Sequence, residues 1–263
     1  MNPLHTLLKD SQKRLIVDAR AYAHKVLMQH KPYPWHDPTL YSNYMKQVAS
    51  LLRADVLVLR FDKLLEEELK NNTSLVAKMK EKTRSGYALK VFMADEELRT
   101  ITSSLINTAT NILHVHVLTQ LPSPLNLLKM TARAVGANEE FEEDQIENAG
   151  IYYADWLRSY KDSKVCGLLF DARDHAFNLE LYKPITNTAE GYGWVVGFRE
   201  LEALHFVGEK APIPVLDSDF WIDASAGGAC AGGACVNRVF FTEIHQDAVP
   251  EAVLEKLKEF ELT

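Results

Sequence analysis

Several features that would assign the chain to a specialised class are missing from it. The 263-residue sequence contains no uncharged apolar run near the roughly 18 residues that a membrane-spanning helix needs. It also lacks a run of lysine and arginine, and its formal charge is −7. We therefore expect neither nucleic acid nor a membrane as a partner. The first residues show no basic start, apolar core or small-residue cleavage site, so we expect a cytoplasmic protein.

Cysteine is sparse, and the three residues Cys166, Cys230 and Cys235 do not form the even set that a disulfide framework requires. Cys230 and Cys235 each end a Gly-Gly-Ala-Cys unit, and four residues separate them. This spacing is compatible with a metal clip, with a redox pair, or with a glycine-rich loop whose amides hold an anion. A plain surface loop fits it equally well.

The apolar residues, 47% of the chain, indicate alternating strands and helices. Short apolar runs predict strands at residues 56–61, 88–93, 112–118, 165–170, 194–198, 213–216 and 238–244. Such alternation implies parallel strands with helical crossovers, and seven or eight of them suit a closed (β/α)₈ TIM barrel of about 250 residues.

We therefore predict an α/β fold with two parts. Residues 53–263 form a TIM-barrel-like domain, and residues 1–52 form an N-terminal helical segment, with one long helix over 3–30, that packs on the barrel. An open α/β sheet is the alternative. The Gly-rich fingerprint of a dinucleotide site does not follow the first predicted strand.

Catalytic groups of such barrels lie at the carboxyl ends of the strands, and the residues that follow the predicted strands supply the candidates. For acid–base chemistry on an anionic small-molecule substrate we predict Asp171, Arg173, Asp174 and His175. For substrate binding we predict Arg60, Asp62, Asp95, Tyr192, Trp194, Arg199, Asp217, Asp219 and Trp221. The structural alternative is that the polar residues simply face water and that the aromatic ones belong to the core.

Two pairs of residues suggest a metal. His114 and His116 lie two apart on a predicted strand, so their side chains share one face. Glu243 and His245 have the same spacing on another strand. Together they are candidate ligands for Zn²⁺ or Fe²⁺. The alternative is a pair of hydrogen-bonded histidines near the barrel mouth.

Three segments are similar to a known barrel superfamily. They resemble segments of the superfamily of uroporphyrinogen decarboxylase and cobalamin-independent methionine synthase. The segments are Leu121-Pro-Ser-Pro124, the stretch Tyr152–Leu157 with the strand that ends at Asp171, and Ala248–Leu254. The resemblance covers about half of the chain. It implies a pocket at the carboxyl ends of the strands and either decarboxylation of a tetrapyrrole or methyl transfer to a zinc-bound thiolate. The zinc site of the methionine synthases has a His-x-Cys pair where this chain has His114-x-His116.

These observations support three functions. The first is an enzyme, a lyase or transferase that acts on a small or medium organic acid, with optional help from a metal. The second is a non-catalytic ligand-binding or sensor domain, because residues 55–182 also resemble half of a phospholipase D-like domain. Aligned on Asp171, that family's His-x-Lys-x4-Asp signature has Lys164 and Cys166 in place of its His and Lys, so the nucleophile is missing. The third is an interaction protein that forms a homodimer through residues 1–52.

Overall fold

A barrel of eight strands forms the centre of the structure, a computed structural model that describes residues 2–9, 12–29, 31–175, 178–222 and 238–261. The strands are β1 (Arg14–Asp18), β2 (Val56–Arg60), β3 (His116–Pro122), β4 (Gly167–Asp171), β5 (Val195–Arg199), β6 (Ala203–Phe206), β7 (Ile213–Leu216) and β8 (Val239–Glu243). They pair in chain order, and the pairing of β8 with β1 closes the barrel.

Helices fill most of the chain between the strands. They are α1 (Pro3–Leu8), α2 (Arg20–Met28), α3 (Pro38–Leu52), α4 (Phe61–Asn71), α5 (Thr73–Met79), α6 (Tyr87–Ala94), α7 (Glu96–Ile112), α8 (Pro124–Ala134), α9 (Glu143–Leu157), α10 (Lys183–Gly191), α11 (Asp219–Ile222) and α12 (Pro250–Glu261), with short 3-10 helices at Arg158–Tyr160 and Leu179–Tyr182. The side chains of Asp37 and Ser123 accept hydrogen bonds from first-turn amides and so fix where α3 and α8 begin. Within the described ranges, no helix has the length and apolar character that crossing a membrane requires.

The predicted α/β barrel is confirmed, but its strands are not all parallel. Strand β6 runs antiparallel to both β5 and β7, whereas every other neighbouring pair is parallel. The short segment 200–202 connects β5 to β6 where a regular (β/α)₈ barrel has a helical crossover. The alternative of an open sheet is wrong, because the first and last strands pair.

Alternate side chains of the strands fill the inside of the barrel. Ile16, Val58, Leu118, Leu169 and Phe241 belong to one buried cluster that also includes Leu4 and Leu7 of α1. Helix α1 lies at the amino ends of the strands. Asn2, just before the helix, donates from its side-chain amide to the carbonyl oxygens of Cys166 and Gly193, which precede β4 and β5. The helix thus closes this end of the barrel, and the opposite end is left for a site.

The barrel interior leaves no room for a side chain at Gly197 of β5. A Cβ atom built there lies 2.7 Å from the ring of Phe206 on the antiparallel strand β6. Glycine at this position therefore lets the ring of Phe206 enter the interior cluster.

Some of the sequence-based assignments are wrong. The helix predicted over 3–30 is interrupted by β1, which lies between β2 and β8 and is almost completely buried. The strand predicted over 88–93 is helix α6, in which Leu89, Phe92 and Met93 are buried and Lys90 is exposed, at helical spacing. The strand predicted from 112 starts at His116, because α7 continues to Ile112.

Candidate active site at the carboxyl ends of the strands

A layer of polar side chains lies at the carboxyl-terminal end of the barrel. Five of the positions come two residues after an apolar interior residue of the same strand. The sixth, Arg199, comes two residues after Gly197 and four after the interior residue Val195. Because strand side chains alternate, all six face inward. Backbone register pairs Asp18 with Glu243, and pairs Asp171 with Arg199. We call the following six residues the polar ring: Asp18, Arg60, Gln120, Asp171, Arg199 and Glu243.

Arg60 is held by two carboxylates inside the barrel. Its Nε and Nη2 atoms donate to Asp62 at 2.8 and 2.7 Å, and its Nη1 atom donates to Asp18. All three residues are buried. Burial opposes the charge of the guanidinium, but the carboxylates of Asp18 and Asp62 outweigh burial and raise the pKa of Arg60. The charge of Arg60 is thus compensated within the protein.

Arg173, which follows β4, connects two carboxylates of the polar ring. Its Nε and Nη2 atoms donate to Asp171 at 2.9 and 2.5 Å, and its Nη1 atom lies 3.3 Å from Glu243 Oε1. Burial acts to raise the pKa of Asp171, but the hydrogen bonds and charge of Arg173 lower it overall. Asp171 is therefore an ionised carboxylate at neutral pH.

Arg199 differs from Arg60 and Arg173 because few of its donors are used. The side chain is 6% exposed, and the described residues provide one hydrogen bond to the guanidinium, from Nη1 to the carbonyl oxygen of Leu201 at 2.7 Å. Its Nε atom lies 3.7 Å from Glu243 Oε1, which is ion-pair distance but too far for a hydrogen bond. The guanidinium stacks 4.9 Å from the centre of the Phe241 ring. Burial lowers the pKa of Arg199.

Gln120 is the neutral member of the polar ring. Its side chain is fully buried beside Arg60, its register partner on β2. Neither Oε1 nor Nε2 has a hydrogen-bond partner among the described residues. Because buried amides are almost always hydrogen-bonded, this position needs an explanation.

Asp174 and His175 form a hydrogen-bonded pair just beyond β4. His175 Nδ1 lies 2.8 Å from Asp174 Oδ1, and Asn126 Nδ2 donates to the same carboxylate at 3.0 Å. Burial acts to raise the pKa of Asp174, but the bonds from Asn126 and His175 lower it overall. The Nε2 atom of His175 is buried and has no partner in the described part of the chain. With the proton on Nδ1, Nε2 is a free proton acceptor.

The remaining predicted residues beyond β7 and β8 lie at the correct end of the barrel but outside the polar ring. Asp217 and Asp219 are exposed at the start of α11. Trp221 is fully buried, and its Nε1 atom donates to Thr242 Oγ1 at 2.6 Å, so it packs in the core. His245 accepts a hydrogen bond from the backbone of Asp247 at 3.1 Å.

Three predicted substrate-binding residues lie elsewhere. Asp95 follows a helix rather than a strand, and its carboxylate caps α7 by accepting from Leu98 N at 2.9 Å. Tyr192 and Trp194 precede β5 and therefore lie at the amino end of the barrel, opposite Arg199. The structure thus places these three residues away from the polar ring.

The four predicted metal ligands do not form one site. His114 and His116 are exposed at the amino end of β3, whereas Glu243 and His245 lie at the carboxyl end of β8. Over the ranges that the structure describes, no group of three or more His, Cys, Asp or Glu side chains is arranged to hold a metal ion. Cys230 and Cys235 lie outside those ranges.

Sequence reasoning missed two members of the polar ring. Asp18 is not identified as a candidate from the sequence, because the pattern predicts a helix where the structure has β1. Gln120 carried a usable signal, since it is a polar residue two positions beyond Leu118 in an apolar strand. The polar ring, Arg173 and the Asp174–His175 pair are the candidate site residues at this end of the barrel.

No protein-family model, curated protein or solved structure matches the chain.

Proposed function

We propose that the protein is a cytoplasmic enzyme that binds a small or medium organic acid over the polar ring and moves a proton on it, as a lyase or group-transfer enzyme does. Arg199 carries this proposal. Its guanidinium lies within ion-pair distance of Glu243, but donors remain that have no hydrogen-bond partner among the described residues. Buried donors without an acceptor are unfavourable until one binds. A substrate carboxylate supplies the two acceptors that a guanidinium best accommodates.

The charge balance makes this binding selective. The guanidinium groups of Arg60 and Arg173 are already held by the carboxylates of Asp18, Asp62 and Asp171. The polar ring therefore has no large positive field that would attract any anion. Binding instead depends on whether a carboxylate can reach Arg199.

His175 is the proton carrier in this proposal. Asp174 orients its ring, and Nε2 remains available to take a proton from the substrate or return one. Asp171 is a weaker base because Arg173 lowers its pKa. The resemblance of residues 112–171 to the uroporphyrinogen decarboxylase and methionine synthase superfamily implies the same placement of a pocket.

The test is proton exchange on a panel of mono-, di- and hydroxycarboxylic acids. Each acid is incubated with the protein in D₂O. Proton NMR then follows exchange of C–H groups next to the carboxylate, carbon NMR follows release of CO₂, and calorimetry measures binding. We expect exchange or turnover of at least one acid, binding at least about tenfold weaker in Arg199→Gln, and loss of exchange with retained binding in His175→Asn. Arg133→Gln, a change of an exposed residue, is the matched control.

Two results contradict the proposal. If no acid binds, or if binding is unchanged in Arg199→Gln, the polar ring is not an organic-acid site. If acids bind through Arg199 but none exchanges or reacts, the protein is a binding or sensor domain rather than an enzyme.

A further inference from the structure

We infer that Gln120 recognises a second, neutral group of the substrate, one that presents a hydrogen-bond donor and an acceptor side by side, as a carboxamide does. The inference rests on the proposed function, because the same polar ring must first bind the acid. It names the substrate class as an organic acid with an amide group.

Apolar side chains line one side of Gln120, and no described residue hydrogen-bonds to its amide group. Its neighbours in the barrel interior include Leu118 and Leu169, and a leucine or methionine would fill the same space without burying an amide. Because both amide atoms lack partners among the described residues, the side chain costs stability in the unliganded protein. Such a cost is typical of a group that is arranged for a ligand.

The position of Gln120 relative to Arg199 sets the size of the ligand. Arg199 is on β5 and Gln120 is on β3, with β4 between them. Neighbouring strands are about 4.8 Å apart, so the two backbones are roughly 10 Å apart, and both side chains face inward. An acid of about four or five carbons, with its hydrogen bonds at both ends, spans this distance.

The charges around Gln120 favour a neutral partner over a second carboxylate. Arg60, the nearest cation in register, is already neutralised by Asp18 and Asp62. A carboxylate could accept a hydrogen bond from Nε2. Its second oxygen would then lie against Oε1, and two acceptors cannot hydrogen-bond to each other. A carboxamide satisfies both atoms at once, whereas a methyl group satisfies neither.

The test compares three acids of equal chain length: succinamate, succinate and butyrate. Calorimetry measures the dissociation constant of each for the wild type, Gln120→Met and Gln47→Met, the last being a matched change on the exposed face of α3. We expect the wild type and Gln47→Met to bind succinamate at least about tenfold more tightly than the other two acids. In Gln120→Met this preference disappears, and the unfolding temperature rises by roughly 2–4 °C.

The outcomes separate the two proposals. If acids bind through Arg199 without preference for succinamate, or if the preference persists in Gln120→Met, the inference is wrong and the acid site stands. If none of the acids used here or in the larger panel binds the wild type, both proposals fail.

Discussion

Arg60 and Asp18 form an ion pair inside the barrel, with exposures of only 9% and 4%. Asp62 holds the other side of the same guanidinium. Replacement of one partner leaves uncompensated charge at a buried position. Arg60→Met should therefore lower the free energy of unfolding by about 3–5 kcal/mol. Urea unfolding at pH 7 measures it.

The control for this prediction is Arg133→Met, at an exposed position, which should change the free energy of unfolding by less than about 0.5 kcal/mol. The triple variant Asp18→Asn, Arg60→Met, Asp62→Asn should recover part of the loss, because no charge remains unpaired. An Arg60→Met variant as stable as the wild type would contradict the description of this ion pair.

Two buried tyrosines should respond in opposite ways to loss of the hydroxyl group. Tyr41 and Tyr153 are both 0% exposed. The Tyr153 hydroxyl donates to the carbonyl oxygen of Pro122 at 2.8 Å, whereas the Tyr41 hydroxyl has no partner in the described part of the chain. Tyr153→Phe should lower the free energy of unfolding by about 1 kcal/mol, and Tyr41→Phe should leave it unchanged or raise it. Equal losses in chemical denaturation would be inconsistent with this difference.

Acid should weaken the contribution of Asp171 to stability. Arg173 lowers the pKa of Asp171 in the folded protein, whereas in the unfolded chain it is about 3.9. The stabilisation is therefore fully present above about pH 5 and is lost as the pH falls through the folded-state pKa. The stability deficit of Asp171→Asn relative to the wild type should be constant from pH 5 to 7 and should shrink below about pH 4. Urea unfolding across this range measures it, and a deficit that grows in acid would refute the argument.

The sequence predicted most of the barrel because its strands are short apolar runs bounded by polar residues. Strand β2 and strand β4 are buried on both faces, and the β-branched Val56 and Val58 favour a strand for the first of these runs. Periodicity failed at α6, where a short apolar run fits a buried strand and a buried helix equally well. It also failed at β1, because Arg14–Asp18 is brief and lies between two helices whose pattern continues across it.

The candidate site was predictable where a charged residue ends a strand. Arg60, Asp171, Arg199 and Glu243 were identified in this way. The pairing of these residues was not predictable, because it depends on which strands are neighbours and in which register. The sequence therefore could not show that Arg60 forms an ion pair with Asp18. Nor could it show that Arg199 keeps N–H donors without a hydrogen-bond acceptor.

The pairing of β1 with β8 has a consequence for synthesis of the protein. The two strands are in register from Arg14 beside Val239 to Asp18 beside Glu243, although nearly the whole chain separates them. On the ribosome, a nascent chain can pair β1 to β7 but cannot close the barrel until β8 has emerged. Until then one edge of β1 offers unpaired backbone groups to other chains, so a chaperone that shields this edge would favour correct folding.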